Sequence, residues 1–191
     1  MNPKKTAFCF YHAEMRIIGG KYKGRIFKPT KKFSARPTTD IAREGLFNIL
    51  ENRIDFTDKT VLDLFSGTGS IGLEFISRGC KEATFVEKDF GHHKFILDVT
   101  KSLNIENSRV VKSDVFSFLF KYQGKFDIIF ADPPFDLPQF RLVPEAVFNG
   151  NVLNENGIFI LEHSKEYNFT EHADFMELRS YGKVNFSFFK A

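Results

Sequence analysis

From Thr60 onward the apolar residues fall into short runs: Thr60–Phe65, Ala83–Glu87, Arg109–Lys112, Phe126–Ala131 and Gly157–Leu161. Each run is short and suited to a buried strand, and the intervals between them are of helix length. Such alternation predicts a parallel sheet with helices on both faces, because parallel neighbours need crossover connections that pack back on the sheet. The last runs, Phe175–Tyr181 and Lys183–Lys190, meet at Gly182 and predict a closing antiparallel pair. Upstream the pattern differs. Arg16 to Phe27 reads as strand, Gly19-Gly20 turn and strand, a small basic hairpin. Thr39 or Asp40 can cap a helix whose Ile41, Leu46, Phe47 and Leu50 recur at helical spacing. Residues 1–14 show neither periodicity nor turn chemistry and are expected to be a tail, or to precede a start at Met15. The expected division is therefore 1–14, an N-terminal extension over 15–58, and an α/β domain over 59–191.

A length of 191 residues suits one domain with a full core and leaves no room for a second catalytic domain. Phenylalanine is abundant, 25 residues with no Trp. Most of it is expected in the core, since it sits in strand-like runs such as Phe126-Asp-Ile-Ile-Phe130 and Phe186-Ser-Phe-Phe189. Cys9 and Cys80 form no C-x-x-C pair, so neither a disulfide framework nor a zinc site is expected and the compartment reads as reducing. His12 and Glu14 interrupt the apolar stretch Ala7–Tyr11 before it reaches signal-peptide length, and no run can span a bilayer; a cytoplasmic location is expected.

The net charge of +3 conceals an asymmetry: residues 1–60 hold 13 Lys/Arg against 6 Asp/Glu. Arg16, Lys21, Lys23, Arg25, Lys28, Lys31, Lys32 and Arg36 follow one another with no acidic residue among them. This reads as phosphate contact, the competing reading being a solvated basic face. Arg16, Lys21, Lys23, Arg25 and Arg36 are the residues expected to touch nucleic acid.

Gly67, Gly69 and Gly72 in Val61-Leu-Asp-Leu-Phe-Ser-Gly-Thr-Gly-Ser-Ile-Gly72 satisfy the dinucleotide pattern G-x-G-x-x-G, a weak signal alone. Asp63, at the carboxyl end of the strand, changes the reading. A buried carboxylate there repels a pyrophosphate and attracts an ammonium, and S-adenosylmethionine carries an α-amino group and no phosphate. Glu87 ends the next strand, eighteen positions after Gly69, where an acidic side chain accepts from ribose hydroxyls. Asp114 is placed to accept from the adenine amine with Val115 over the ring, and a helix-capping role for Ser113 or Asp114 competes. The set expected to hold the cofactor is Asp63, Phe65, Gly67, Gly69, Glu87, Lys88, Asp114 and Val115.

Asp132-Pro-Pro-Phe135 follows the fourth strand at the same sheet edge. Consecutive prolines fix φ and remove backbone donors, so the loop is rigid and its carbonyls stay free. The Asp132 carboxylate and Pro133 carbonyl can each accept one N–H of an exocyclic amine, with its nitrogen aimed at the cofactor's methyl group. Phe135 can stack on the base. Asp132, Pro133, Pro134 and Phe135 are thus the expected catalytic set. An aromatic amine gains positive charge as it attacks, and acceptors fixed in advance stabilise that charge. The target base must be unpaired or flipped to reach them. No metal is expected, because His92-His93 point apart on a helix; His163, after a strand end, can line the cleft.

These residues resemble the RsmD family, bacterial small-subunit ribosomal RNA methyltransferases acting on a guanine 2-amino group. The resemblance covers nearly all of Met15–Ala191. Its marks are Arg16-Ile-Ile-Gly-Gly20 with Lys23-Gly-Arg25, Arg36-Pro-Thr-Thr-Asp40 with Arg43-Glu-x-Leu-Phe47, Asp63-Leu-Phe-Ser-Gly-Thr-Gly69, Asp132-Pro-Pro-Phe135 and Tyr181-Gly182. It implies a Rossmann-like class I methyltransferase fold, a seven-stranded mostly parallel sheet with a reversed last strand. It also implies S-adenosylmethionine as cofactor and ribosomal RNA in a small-subunit particle as partner; a monomer is expected. DNA adenine methylation through the same Asp-Pro-Pro-Phe chemistry is the nearest rival, but it normally comes with a target-recognition domain for which the extension leaves little room. Protein-glutamine methyltransferases carry Asn at the place of Asp132. An RNA-binding module on a relic fold conflicts with the intact Asp63 and Asp132, and a nicotinamide-dependent oxidoreductase would prefer dinucleotides.

Overall fold

The computed structural model describes residues 14–28 and 39–191; Arg36, expected to contact nucleic acid, lies outside them. The elements are β1 (Met15–Arg16), β2 (Ile26–Phe27), α1 (Asp40–Glu51), β3 (Thr60–Leu64), α2 (Ser70–Ser77), β4 (Glu82–Glu87), α3 (Phe90–Ser102) and β5 (Ser108–Lys112). Then come α4 (Val115–Lys121), β6 (Phe126–Ala131), a 3-10 turn over Phe140–Leu142, α5 (Val143–Asn149), β7 (Leu153–His163), β8 (Phe175–Tyr181) and β9 (Val184–Lys190).

Strands β3 to β9 form one seven-stranded sheet in the order β5-β4-β3-β6-β7-β9-β8. The pairs among β3, β4, β5, β6 and β7 are parallel, while β9 runs antiparallel to both β7 and β8. This is the mostly parallel sheet with a reversed last strand that the family resemblance implies. The closing hairpin expected at Gly182 forms, but its second strand inserts between β7 and β8 instead of extending the edge.

The sheet carries a core on each face. Ala83 and Phe85 of β4, Ile128 and Phe130 of β6, and Ile160 of β7 pack with Leu46, Phe47 and Leu50 of α1, Leu73 and Phe75 of α2, and Ile96 of α3. The opposite face packs Leu62, Leu64, Ile129, Phe159 and Leu161 against Val115, Phe118 and Leu119 of α4 and Val143 and Val147 of α5. The phenylalanines do serve mainly as core: Phe47, Phe75, Phe85, Phe130, Phe159, Phe186, Phe188 and Phe189 are fully buried. Each such side chain contributes roughly 1.5–3 kcal/mol by leaving water. Phe75 meets Phe47 and Phe56 edge-on, with ring centroids 4.7 and 5.2 Å away.

The extension belongs to the same core, since Met15, Ile17, Leu46, Phe47 and Leu50 cluster with the sheet residues. Its hairpin has only two paired residues per strand, and the turn runs on past Gly20 to Gly24. Helix α2 holds that turn. Buried Glu74 accepts from the amides of Ile18 at 3.0 Å and Gly19 at 2.7 Å. The Ser77 carbonyl accepts from Lys21 at 2.6 Å and the Ser77 hydroxyl from Tyr22 at 2.9 Å. Gly20 has φ 70°, and a Cβ there would stand 1.9 Å from the Ser77 carbonyl oxygen, so this contact requires glycine. No helix among the described residues is long and apolar enough to cross a membrane.

Candidate active site

Side chains alternate between the faces of a strand, so residues an even number apart share a face. Val61, Phe85, Phe130 and Ile160 all belong to the core under α1, α2 and α3. Asp63, Glu87, Asp132 and Glu162 each lie two residues further along the same chains and therefore point to that same face, at the carboxyl edge. The pairing Leu64↔Ala131 and Leu64↔Val86 puts Phe65, Asp132 and Glu87 at one level, and Ala131↔Leu161 puts Glu162 beside Asp132. Adjacent strands lie ~4.8 Å apart, so four acids converge on one short stretch of edge.

The glycine loop begins where β3 ends, one residue before the apolar run does. Phe65 adopts φ 56°, a conformation that L side chains rarely take, and this turns the chain off the sheet. The Ser66 hydroxyl donates to the Asp63 carbonyl at 2.6 Å, and the Ser66 amide donates to the Val86 carbonyl at 3.1 Å. Gly67 and Gly69 follow at φ 54° and 73°. A Cβ on Gly67 would meet only the Phe65 carbonyl oxygen at 3.9 Å, so the space above the loop is open. Gly72 serves packing instead, since a Cβ there would strike the Phe85 ring at 2.3 Å; its absence sets how closely α2 lies on β4.

Asp63 is 2% exposed and accepts from the Gly72 amide at 3.0 Å. Burial raises its carboxyl pKa to about 7, the Gly72 amide opposes that rise and Glu87 adds to it. Glu87 accepts from the Gly67 amide at 2.8 Å and the Asp89 amide at 2.7 Å, with His92 Nδ1 at 3.9 Å. Burial pushes this carboxyl up, but the nearby His92 ring and the Asp89 and Gly67 amides outweigh it and leave the pKa lowered. Glu87 thus stays ionised and braces the glycine loop. Lys88 next to it is exposed. Asp114 does cap α4, accepting from the Ser117 amide at 3.1 Å, and its side chain remains exposed. Val115 is 3% exposed, so its side chain packs inward with the α4 core.

Asp132 is part-buried, Pro133 buried, and Pro134 and Phe135 are exposed. The pKa of Asp132 is raised well above the usual carboxylate range by burial, then by the charges of Glu162 and Asp63. The loop is braced from behind: the Pro134 carbonyl accepts from Leu137 at 2.9 Å, and the Phe135 carbonyl accepts from the Tyr167 hydroxyl at 3.3 Å. Tyr167 stacks on Phe140 at 4.0 Å and carries the Arg141 guanidinium 5.2 Å from its ring centroid.

His163, 1% exposed, stands at the end of β7. Its Nδ1 lies 2.8 Å from the Ser164 carbonyl, which can only accept, so Nδ1 carries the proton and Nε2 takes the Ser187 hydroxyl at 2.7 Å. Burial lowers its pKa and keeps it neutral. His163 therefore pins the strand end and faces the α4–α5 side, away from the four acids. Glu162, 3% exposed, is the site residue the sequence reading missed. Its signal was parity: in Ile160-Leu-Glu162 it falls on the same face as the acids of the other strands.

Residues 15–190 match the family described as conserved hypothetical protein 95. Ribosomal RNA small subunit methyltransferase D of Escherichia coli strain K12 is 38% identical over 144 residues, 75% of this chain and 69% of that one. The chain belongs to the RsmD family. Among solved structures, a hypothetical protein of Thermus thermophilus, TTHA0928, matches with a TM-score of 0.81 at 28% identity, covering 92% of this chain and 99% of that one. A T. thermophilus 16S rRNA N2 G1207 methyltransferase in complex with AdoMet and guanosine gives 0.72 at 21% identity, covering 93% of this chain and 49% of that one; this likeness shows the fold alone.

Several RsmD-family marks outside the acidic edge are structural. The Thr39 hydroxyl caps α1, accepting from the Ala42 amide at 3.3 Å. Asp40 bridges Arg16 and Arg43, each at 2.7 Å, and buried Arg43 also donates to the Arg16 carbonyl at 2.6 Å. Gly45 is needed because the Tyr181 ring lies on it, 2.2 Å from where a Cβ would stand. Of the residues expected to touch nucleic acid, Arg16 is half-exposed and ion-paired, and Lys21, Lys23 and Arg25 are exposed on the turn at the far end of α2.

Proposed function

We propose that the protein transfers a methyl group from S-adenosylmethionine to the 2-amino group of a guanine in small-subunit ribosomal RNA, acting as a cytoplasmic monomer on the RNA or its particle. The observation that carries this reading is the Asp132 carboxyl, level with Glu87 and two residues beyond the Asp63 level, followed by a buried and an exposed proline and an exposed Phe135. Membership of the RsmD family supports it, as does the name of the E. coli relative.

The residues fit the cofactor. Asp63 offers a carboxylate to an ammonium, Glu87 has lone pairs left for ribose hydroxyls, and the open space above Gly67 admits a ligand against the loop. Asp114 and the start of α4 border the adenine position. The cofactor supplies an electrophilic methyl group on a sulfonium sulfur. Asp132 and the Pro133 carbonyl would accept the two N–H bonds of the guanine amine and orient its nitrogen for methyl transfer. A methylated amine nitrogen carries positive charge; Asp132 would stabilise that charge and, with its raised pKa, would receive the proton the product must lose. Phe135 stacks on the base, and Lys21, Lys23 and Arg25 meet phosphates.

The test is incubation with radiolabelled S-adenosylmethionine and small subunits from cells lacking the enzyme, followed by nucleoside mass spectrometry. 2-Methylguanosine is the expected product. 6-Methyladenosine would leave the cofactor assignment standing and remove the guanine assignment.

A further inference from the structure

Guanine differs from adenine and cytosine in what flanks its exocyclic amine. Its 2-amino group is bonded to a carbon next to a ring N1–H donor, whereas the amines of adenine and cytosine are flanked by a ring nitrogen acceptor and a carbon, with no ring N–H. A site that holds the amine by acceptors alone treats all three alike. A second acceptor set beside the first reads guanine and repels the others.

Glu162 stands in that place. It is 3% exposed, it shares the acidic face, and continuation of the Ala131↔Leu161 pairing sets it beside Asp132 on the neighbouring strand. The strand end that carries it is fixed by His163, bonded at 2.8 and 2.7 Å on its two nitrogens, so its position does not depend on a loop. Of the charges acting on the Asp132 carboxyl, Glu162 contributes the largest effect. A carboxylate has about four lone-pair positions and can keep other partners while accepting one more N–H. Two adjacent carboxyls with little solvent are costly when both are ionised, and an edge presenting two N–H donors side by side relieves that cost; a base edge with an acceptor there does not.

We propose that Glu162 is the guanine-selecting residue of the site, accepting the ring N1–H of the base while Asp132 and Pro133 accept its amine. The inference rests on the guanine reading above.

The experiment uses small-subunit RNA reconstituted with guanine or 2-aminopurine at the target position, since 2-aminopurine keeps the 2-amino group and lacks the N1–H. For the wild-type protein kcat/KM is expected to fall about 10- to 100-fold on 2-aminopurine, the range for losing a hydrogen bond to a charged group. In Glu162→Leu, which keeps the bulk and removes both acceptor oxygens, the guanine rate falls by a similar factor and the 2-aminopurine rate stays within about threefold, so the discrimination collapses; this cycle isolates the N1 contact from the missing O6. A merely structural role would lower both rates together. Equal wild-type rates on the two substrates, a result needing no variant to fold, would overturn the proposal, as would full discrimination in Glu162→Leu. If wild-type protein labels adenine instead, the guanine reading itself has failed, and product analysis separates that result from the others.

Discussion

Asp63 sits where its charge is costly unless a cation arrives. With a folded pKa of about 7 and an unfolded value near about 3.9, the folded chain keeps a proton that the unfolded chain has released throughout that window. Stability from this group is therefore present at low pH and falls as pH rises from about 4 to 7. Asp63→Asn cannot ionise, so the Tm of wild type is expected to fall relative to the variant between pH 5 and 7.5; parallel Tm curves would remove this account. On the proposed reading the same titration governs cofactor binding. If the ammonium binds the ionised carboxylate, calorimetric affinity for S-adenosylmethionine rises roughly 20-fold from pH 5.5 to 7.5, and the Asn variant loses that dependence. Asp132 is separable from this. Asp132→Ala is expected to cut methyl transfer by on the order of 10²–10³ while cofactor affinity measured by calorimetry changes less than about threefold. A parallel loss of both would mean that Asp132 shapes the cofactor pocket instead of holding the amine.

At the scale of elements, the hairpin survives with two-residue strands because α2 supplies its missing partners. Glu74→Ala leaves the Ile18 and Gly19 amides without their acceptor and Arg78 with Glu51 as its remaining carboxylate partner, at a cost of roughly 2–4 kcal/mol. Urea denaturation should register that loss, and limited proteolysis should cut between Gly19 and Arg25; an unchanged midpoint would mean the hairpin docks by apolar contact alone. Glu74 was invisible in the sequence because it reads as an ordinary charge within an apolar helix. The glycine loop, Glu87 and Asp132 were legible, since strand-end position and turn chemistry are local. The Arg43 anchor, the Gly45–Tyr181 contact and Glu162 were not, because each acquires its meaning from residues distant in the chain. The hairpin's short pairing was missed for the same reason: Gly19-Gly20 signals a turn but not the helix that completes it. Strand order escaped too, because a reversed strand can close the edge or insert, and only the packing of Phe186 and Phe188 with the α1–α2 core decides.

Over the whole molecule the basic turn and the acidic edge are separated by the length of one helix. The Lys21 amide bonds Ser77 at the end of α2, and Gly69 precedes its start; eight residues at 1.5 Å each place the two about 12 Å apart. That distance keeps Lys21, Lys23 and Arg25 off the acidic edge, and on the proposed reading they act on RNA phosphates and not on the transferring methyl group. Replacing Lys21 and Lys23 by Ala should raise KM and leave kcat at saturating RNA within about twofold, the mark of binding lost equally from ground and transition states. Each phosphate contact removed should also reduce the slope of log affinity against log salt by about 0.7–0.9, readable in filter binding between roughly 50 and 200 mM salt. An unchanged slope would place the RNA elsewhere and leave the turn as a solvated face whose backbone alone matters, through its bonds to Ser77. A fall in kcat without a change in slope would mean instead that the turn transmits strain along α2 to the glycine loop.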